Sequence, residues 1–316
     1  MEQKSLLQTL STIIQELRNS GKWGTAHVYR SASSAFVRFT AGKDLPLREI
    51  TPALLKEFEV YLRGRRCSWN TVSTYMKALR SAYNKAVDEG YAAPAPRLFR
   101  HVYTGVASER KRALEAPDIG SLLNEEQPAT PALPPDLAHT LKMLQLMFLL
   151  RGIPFVDLVY LRKSDLRDNI LRYRRRKTGR QLTVTLTPEA LRLLDTVADC
   201  NACSPYLLPY ITAPEGSEAA YREYQRALRH FNRQLAELRQ ALGGTVPVTT
   251  YTIRHTWATM AYYCEIHPGI ISEAMGHSSI AVTETYLKPF RDDRIDDANR
   301  AIISYVKREA RKKASL

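Results

Sequence analysis

The chain has 316 residues, 44% of them hydrophobic and 25% charged, so most of it is expected to bury one large core or two modest ones. It has no apolar run of about 18 residues and no apolar signal core at its N-terminus, which argues against a membrane span and against secretion and favours a cytoplasmic protein. The net charge of +14 is shared by both halves of the chain and points to a polyanionic partner, with nucleic acid as the first candidate. The four cysteines form no disulfide framework, and Cys200-x-x-Cys203 lacks a second pair at zinc-ligand spacing, so neither a metal nor another cofactor is predicted.

Four amphipathic helices are predicted in the first hundred residues, because apolar side chains recur there at steps of three and four. Thr51 followed by proline marks one helix start, since threonine caps helices and proline fits the first turn. The predicted helices cover residues 4–18, 24–41, 52–64 and 68–88. Short loops between them favour a compact helical domain over residues 1–104, with a polar linker at 105–117.

The fourth of these helices has one apolar face and one polar, basic face. Ser73, Lys77, Arg80 and Asn84 follow one another on the polar face at helical spacing. Such a face can lie against DNA phosphates while the apolar face packs on the bundle, although a simple water-facing surface explains the same pattern. The candidate DNA contacts of this domain are Lys77, Arg80, Arg65 and Arg66.

The second domain, residues 118–316, is predicted to be mainly helical with a small β-hairpin or sheet. A short helix at 118–127 precedes a helix at 135–150 that is apolar almost all round. This core helix ends just before Arg151, which is therefore either buried for a purpose or placed to cap the helix.

A change of period marks the hairpin. Residues 169–176 and 181–186 alternate as short strands do, and a glycine-containing turn joins them. Lys177 lies at the tip of this hairpin, where arginines surround it at positions 174, 175, 176 and 180. This density of positive charge makes Arg175 a further candidate DNA contact.

Two more helices follow the hairpin, at 188–198 and 219–241. The second has an apolar stripe and a separate stripe of arginines at helical spacing. Arg226 and Arg229 of this stripe are candidate DNA contacts, and a solvated basic face explains the pattern equally well.

The stretch from Tyr251 to Leu287 contains an arginine, a histidine and a tyrosine in that order, at Arg254, His277 and Tyr286. They occur within R-H-T-x-A-T, within G-H-S-S and at a late tyrosine. Upstream, R-G-x-x-x-x-D-L follows the core helix and K-T-G lies on the hairpin. Each motif is a modest signal, but their order over residues 135–290 resembles the tyrosine recombinases, also called the phage-integrase family.

The resemblance implies a fold and an activity. The first domain is similar to the family's helical, SAM-like core-binding domain, and the second to its catalytic domain. The implied activity is site-specific DNA recombination through a covalent 3′-phosphotyrosine on Tyr286, without a metal ion or ATP. Arg151 and Arg254 resemble the arginines that hold the scissile phosphate, Lys177 the general acid and His277 a residue that hydrogen-bonds this phosphate.

One position departs from the family pattern. The family often has a histidine three residues before the second arginine, and here Tyr251 occupies that place. A tyrosine can donate a hydrogen bond to a phosphate but is a poor base near neutral pH, so the acid–base role of this position is in doubt. His255, directly after Arg254, is expected to be structural.

The resemblance also implies partners. Double-stranded DNA with inverted-repeat core sites is the expected substrate. A monomer in solution is expected to form a homotetramer on synapsed DNA. The amphipathic tail at 292–313 is expected to dock on a neighbouring subunit, with packing on its own domain as the alternative.

Alternative functions remain open. A type IB topoisomerase would share the chemistry but relax DNA, and a non-catalytic DNA-binding protein would keep only the fold. Within the recombinases, integration, excision and inversion are not separated by the sequence. A single DNA-binding domain before the catalytic one leans towards a simple recombinase such as an invertase.

Overall fold

The computed structural model describes residues 4–106, 113–123, 133–244, 246–290 and 292–314. The chain divides into two compact units, Met1–Arg110 with Ala213–Arg222 and Lys111–Thr212 with Glu223–Leu316. Both are mainly helical, and the second also contains a small sheet, which confirms the predicted fold class. Among the helices of the described ranges, none is long and apolar enough to cross a bilayer.

Four helices build most of the first unit, as the apolar periodicity predicted. They are α1 (Leu6–Asn19), α2 (Trp23–Phe39), α3 (Pro52–Gly64) and α4 (Trp69–Asp88). Hydroxyl caps fix three of their starts, because a side-chain oxygen satisfies a backbone N–H that the first turn leaves unpaired. These caps are Ser5, Thr51 and Ser68.

Aromatic side chains from neighbouring helices meet at the centre of this bundle. Phe36 and Phe58 are fully buried, and their rings make an edge-to-face contact with 5.2 Å between centroids. Leu10 and Leu79 complete the same core from α1 and α4. The buried stripe of each helix therefore faces one shared interior, and the opposite stripes are left at the surface.

Among the described residues, nine further helices and one sheet lie in the second unit, except that the helix Glu218–Ala241 begins in the first unit, which includes residues up to Arg222. The helices are α5 (Ala116–Leu123), α6 (Pro135–Leu149), α7 (Phe155–Val159), α8 (Pro188–Val197), α9 (Glu218–Ala241), α10 (Thr250–Tyr263), α11 (Pro268–Met275), α12 (Ile280–Glu284) and α13 (Asp292–Ala314). α5 begins two residues before the predicted helix, and the predicted positions 124–127 lie outside the described residues. α6 is the predicted core helix, buried on most of its circumference.

The sheet has three antiparallel strands in the order β1 (Leu166–Arg167), β2 (Ile170–Arg174) and β3 (Gln181–Thr185). The predicted hairpin is β2 with β3. In its register Leu171 pairs with Val184 and Tyr173 with Leu182, and all four side chains are buried. β1 adds a short third strand that the sequence did not indicate, because two residues are too few to display an alternation.

Candidate active site

The segment that carries Arg151 packs closely against the helix that carries Arg254. Arg151 and Gly152 follow α6 with positive φ angles of 60° and 65°. A Cβ atom at position 152 would lie 3.1 Å from the Cα of Arg254 and 3.2 Å from the Cβ of Trp257. Only glycine fits this contact, and it lets the segment carrying Arg151 pack directly on α10.

Arg254 is the buried centre of the site. Its side chain is 3% exposed. Nη1 donates to the carbonyl of Gly152 at 2.8 Å, and Nη2 donates to the carbonyl of Met275 at 2.6 Å. Burial and the nearby Arg175 lower the pKa of Arg254. The guanidinium nevertheless stays charged, because arginine is not deprotonated in proteins. Arg254 thus brings a buried positive charge to the place where three segments meet.

His277 lies beside this guanidinium. The residue follows Gly276, whose left-handed backbone (φ 64°) ends α11. Its Nε2 is 3.0 Å from Nη2 of Arg254, and its Nδ1 is 2.8 Å from Oγ1 of Thr283. A guanidinium only donates, so Nε2 must accept and the ring proton belongs on Nδ1, which donates to Thr283. Burial, assisted by the charge of Arg254, lowers the pKa of His277 to about 3, so the ring is neutral.

Tyr286 lies against both histidines of the site. Its ring centroid is 4.4 Å from that of His255 in a stacked contact and 4.8 Å from that of His277. Cζ of Arg254 lies 5.8 Å from the same ring. The backbone N–H of Tyr286 donates to the carbonyl of Thr283 at 2.8 Å. The structure therefore gathers Arg254, His277 and Tyr286 into one cluster.

The hairpin turn carries Lys177 to the edge of this cluster. Lys177 is exposed between β2 and β3, as predicted. Its neighbours fix the turn: Oγ1 of Thr178 donates to the carbonyl of Gly276 at 3.2 Å, and Nη1 of Arg180 donates to the carbonyl of His277 at 2.8 Å. The charge of Lys177 also contributes to the low pKa of His277, after burial and the charges of Arg254 and Arg175.

Arg151 and Tyr251 occupy the periphery of the site. Arg151 is half-buried, and its Nη1 donates to the carbonyl of Thr183 at 3.2 Å. Tyr251 is 50% exposed, with its ring 6.4 Å from that of His255. Partial burial of the phenol, and then the neighbouring Tyr286, raise the pKa of Tyr251. A phenol with a raised pKa keeps its proton and can donate a hydrogen bond, which suits a phosphate contact better than a general base.

The candidate DNA contacts differ in their exposure. Arg80 is half-buried: its Nη2 donates to Thr104 at 3.1 Å and its guanidinium lies 5.5 Å from the centroid of Phe99. The remaining surface candidates are exposed, namely Lys77, Arg65, Arg66, Arg226 and Arg229. The Arg80 side chain thus makes contacts within the first unit, whereas the other five side chains are exposed to a ligand.

Arg175 is the exception and corrects a prediction. It was predicted at the DNA-facing surface, but its side chain is 5% exposed and its Nε lies 3.2 Å from Oδ2 of Asp157. The alternation of the strand explains this, because Leu171, Tyr173 and Arg175 share one face and that face is buried. The alternation in the sequence therefore already indicated that Arg175 lies on the buried face of the strand.

Two functional candidates were missed by the sequence analysis. Asp157, the acidic residue of R-G-x-x-x-x-D-L, is buried and binds Arg175. Thr283 is fully buried and links His277 to Tyr286 through its hydroxyl and its carbonyl. The motif drew attention to Asp157 but did not indicate that Arg175 is its partner. Nothing in the sequence indicates that Thr283 contacts His277.

Replacing Thr283 with valine is expected to lower the free energy of unfolding by about 1 kcal/mol, the equivalent of one hydrogen bond. Valine keeps the shape but removes the acceptor of the His277 Nδ1 proton. Denaturant unfolding and the ¹⁵N shifts of the His277 ring measure the effect. Thr285→Val, an exposed change nearby, is the matched control, and equal unfolding free energies and ring shifts for both variants would contradict the role of Thr283.

Comparisons with known structures agree with this architecture. The Tn1549 transposon integrase in complex with transposon right end DNA superposes with a TM-score of 0.66 at 15% identity, covering 95% of this chain and 100% of that one. A lambda integrase dimer bound to a COC′ core site gives 0.63 at 20% identity, with 90% and 95% covered. A lambda integrase tetramer bound to a Holliday junction gives 0.62 at 20%, with 91% and 78% covered. At these identities the likeness establishes the fold.

Family models identify both parts of the chain. The phage integrase SAM-like domain matches residues 5–100, and the phage integrase family matches residues 115–292. No curated protein matches the chain. The second match covers more than half of the 316 residues and spans every predicted catalytic position, so the chain belongs to the phage integrase family, the tyrosine recombinases.

Proposed function

We propose that this protein is a site-specific DNA recombinase that cuts and rejoins double-stranded DNA through a covalent 3′-phosphotyrosine at Tyr286. The observation that carries the proposal is the packing of the Tyr286 ring against His255 and His277, near the buried guanidinium of Arg254. A nucleophile is thereby held beside a fixed positive charge, which is the arrangement that attack on a phosphodiester requires.

Two arginines would bind the scissile phosphate. Negative charge builds on the non-bridging oxygens as the tyrosine oxygen approaches phosphorus, and a guanidinium offers a planar fork of donors to that charge. Nε of Arg254 is buried and has no hydrogen-bond partner among the described residues, so this N–H still lacks an acceptor. Arg151 directly precedes Gly152, whose carbonyl accepts a hydrogen bond from Nη1 of Arg254.

The cleavage step follows from these positions. The phenolic oxygen of Tyr286 gives up its proton to solvent and forms a bond to phosphorus, while the bond from phosphorus to the 5′-oxygen breaks. Lys177 transfers a proton from Nζ to that oxygen, which leaves as a 5′-hydroxyl. A second 5′-hydroxyl reverses the step on the phosphotyrosine. The covalent link retains the phosphodiester free energy, so rejoining needs no ATP.

DNA recognition is assigned to the exposed basic residues of both units. Lys77, Arg65 and Arg66 belong to the first unit, and Arg226 and Arg229 to α9. Such residues bind phosphates and position a protein on the duplex, while base contacts supply sequence preference. We assign inverted-repeat core sites as the substrate and a tetramer on two such sites as the active assembly, with integration, excision or inversion as the outcome.

The C-terminal helix α13 is assigned to subunit contact within that tetramer. Its apolar side chains stand open to solvent, between 45% and 62% exposed, at Ile295, Ile302, Ile303, Tyr305 and Val306. A helix of 23 residues that leaves its apolar stripe uncovered gains free energy by docking that stripe on another surface. A neighbouring subunit on synapsed DNA provides that surface in this proposal.

Changing Ile302 to aspartate is expected to weaken tetramer formation on DNA by at least tenfold, because it would bury a carboxylate in the proposed contact. Binding to a single core site is expected to be unchanged. Sedimentation and gel-shift assays on one-site and two-site duplexes separate the two effects. Ser304→Asp is the matched control, since it adds the same charge on the opposite face of α13. If both variants assemble alike, α13 does not dock through this stripe.

Trapping the covalent adduct tests the proposed function. The probes are duplexes that contain inverted repeats from DNA flanking the gene, with a nick just downstream of the cleaved bond. After cleavage the short fragment that carries the 5′-hydroxyl diffuses away, which prevents rejoining. A protein–DNA adduct that resists denaturation and depends on Tyr286 supports the proposal. Binding without any adduct would indicate a non-catalytic DNA-binding protein. Relaxation of supercoiled plasmid that lacks the site would indicate a topoisomerase.

A further inference from the structure

A buried ion pair lies beneath the hairpin turn that carries Lys177. Arg175 is 5% exposed and Asp157 is also buried, and Nε of the arginine is 3.2 Å from Oδ2 of the aspartate. Burial raises the pKa of Asp157, while the charge of Arg175 opposes this rise. Nothing in the cleavage step assigned above uses either residue, although both lie in the same domain as the site.

Asp157 holds two consecutive residues of the hairpin. Besides the ion pair with Arg175, its Oδ1 accepts a hydrogen bond from the backbone N–H of Arg176 at 2.9 Å. The guanidinium of Arg176 in turn lies over the ring of Tyr160, 3.8 Å from its centroid. Asp157 and Tyr160 belong to α7 and the residue after it, so this short helix anchors the chain directly before Lys177.

The other side of Arg175 contacts the segment that carries His277. A Cβ atom at Gly276 would lie only 2.8 Å from Cγ of Arg175 and 3.4 Å from its Cδ. The stem of Arg175 therefore occupies the space that any larger residue at 276 would need. With the hydrogen bonds from Thr178 to Gly276 and from Arg180 to His277, the turn contacts this segment at three places.

Stability alone does not explain the choice of this pair. A buried ion pair must offset the desolvation of two charges, and well-packed apolar residues of similar volume usually stabilise a fold at least as well. Among the described residues, Nε and Nη1 of Arg175 and Oδ2 of Asp157 have no hydrogen-bond partner, so the two side chains are joined by charge attraction and not by an aligned fork. This attraction holds the start of the hairpin turn against α7, which apolar side chains would not do specifically. The geometry here joins α7, the hairpin turn and the His277 segment.

We propose that Arg175, held by Asp157, is a positioning residue that places Lys177 for proton transfer to the 5′-oxygen of the cleaved strand. The proposal rests on the function assigned above and deepens it. Arg175 acts through Lys177: it fixes the start of the turn, and the turn fixes the ammonium. A displacement of about 1 Å of a catalytic group can cost on the order of 100-fold in rate, so a loosened turn has a large effect.

A change of leaving group tests this assignment. Two substrates are compared. The oxygen substrate is the nicked duplex with its natural bridging 5′-oxygen, and in the sulfur substrate a sulfur atom replaces that oxygen at the cleaved bond. Attack by Tyr286 then breaks the bond from phosphorus to sulfur, and the electron pair leaves on the sulfur as a thiolate. A thiol is far more acidic than a hydroxyl group, so the thiolate departs without a proton from Lys177. Any defect that lies in proton transfer disappears on this substrate.

The variants separate positioning from folding. Arg175→Met keeps the stem but removes the fork, and the double change Asp157→Asn with Arg175→Met leaves no unpaired buried charge. Arg180→Met removes the hydrogen bond to the carbonyl of His277 from an exposed side chain, so it leaves the core intact. Arg172→Met, an exposed change on β2, is the matched control for lost charge. Lys177→Ala is the reference for lost proton transfer.

The expected result is a common pattern for Arg175→Met, the double variant and Lys177→Ala. Each forms adduct about 100-fold more slowly than the wild type on the oxygen substrate and at close to the wild-type rate on the sulfur substrate. Arg180→Met follows the same pattern with a smaller loss, and Arg172→Met matches the wild type on both.

Other outcomes overturn the assignment. If the Arg175 variants are equally slow on both substrates, or equally fast, Arg175 does not act through Lys177. If circular dichroism shows that the Arg175 variants do not fold, Arg180→Met provides the test. If Arg180→Met is as slow on the sulfur substrate as on the oxygen substrate, the turn does not position Lys177. A wild-type protein that forms adduct on neither substrate rejects the recombinase function itself, which is a distinct result.

Discussion

Replacing Tyr286 with phenylalanine is expected to abolish the covalent DNA adduct and to leave DNA binding and folding unchanged. The lost hydroxyl oxygen is the proposed nucleophile, and no other group can replace an attacking atom that is absent. Phenylalanine retains the ring that stacks on His255 at 4.4 Å and packs near His277 at 4.8 Å. The hydrogen bonds of this residue to Thr283 and Thr259 use backbone atoms, so they also persist.

The measurement is adduct yield on the nicked duplex after denaturing electrophoresis, beside a gel shift on the same DNA. Tyr251→Phe is the matched control, because Tyr251 is a second, partly exposed tyrosine close to the site and its ring lies 6.4 Å from that of His255. It is expected to form adduct at a reduced rate, since at most one phosphate hydrogen bond is lost. If Tyr251→Phe abolished the adduct while Tyr286→Phe formed it, the nucleophile would be Tyr251.

The sequence predicted those parts of this molecule that depend on short-range patterns. The helices of the first unit follow from apolar spacing and hydroxyl caps, and the hairpin follows from two alternating strands around a glycine turn. The order of Arg151, Lys177, Arg254, His277 and Tyr286 identified the family before any geometry was known. The structure then brought Arg254, His277 and Tyr286 together and placed the Lys177 turn against them.

Contacts between distant segments were beyond the reach of the sequence. The hydrogen bond from Arg180 to His277 joins residues 97 positions apart, and Arg254 reaches Gly152 across 102 positions. Nothing local in either segment specifies these partners. Two short helices, α11 and α12, were not predicted individually, because eight and five residues display too little of the helical period. α11 ends two residues before His277 and α12 two residues before Tyr286, and only the fold shows how these helices place the two side chains.

Arg175 illustrates an intermediate case. Its charge suggested a surface, while its place in the strand alternation indicated the interior, and the alternation prevailed because Asp157 supplies a partner. An arginine can be buried only where a carboxylate or several carbonyls receive it. The sequence displayed the acidic residue within R-G-x-x-x-x-D-L but gave no means of pairing it with a residue 18 positions later.

Changing Arg254 to lysine is expected to reduce adduct formation by about 1,000-fold, the largest loss after that of the nucleophile. Removing one preorganised donor to a developing oxyanion costs roughly 10²- to 10³-fold, and lysine cannot reproduce the planar fork. Lysine also loses bonds that hold the fold, since Nη1 and Nη2 donate to the carbonyls of Gly152 and Met275. A fall in the melting temperature of a few degrees is therefore expected alongside the catalytic loss.

The leaving-group comparison separates the catalytic loss at Arg254 from a defect at Lys177. Arg254 is assigned to the non-bridging oxygens, whose charge develops whichever atom leaves, so Arg254→Lys should be slow on the oxygen and the sulfur substrates alike. Its DNA binding, measured below the melting temperature, should remain close to that of the wild type, because the exposed basic residues supply most of the phosphate contacts. If Arg254→Lys instead regained the wild-type rate on the sulfur substrate, Arg254 would act with Lys177 in proton transfer. That result would leave the charge on the scissile phosphate to Arg151, whose half-buried side chain already reaches the carbonyl of Thr183 on β3.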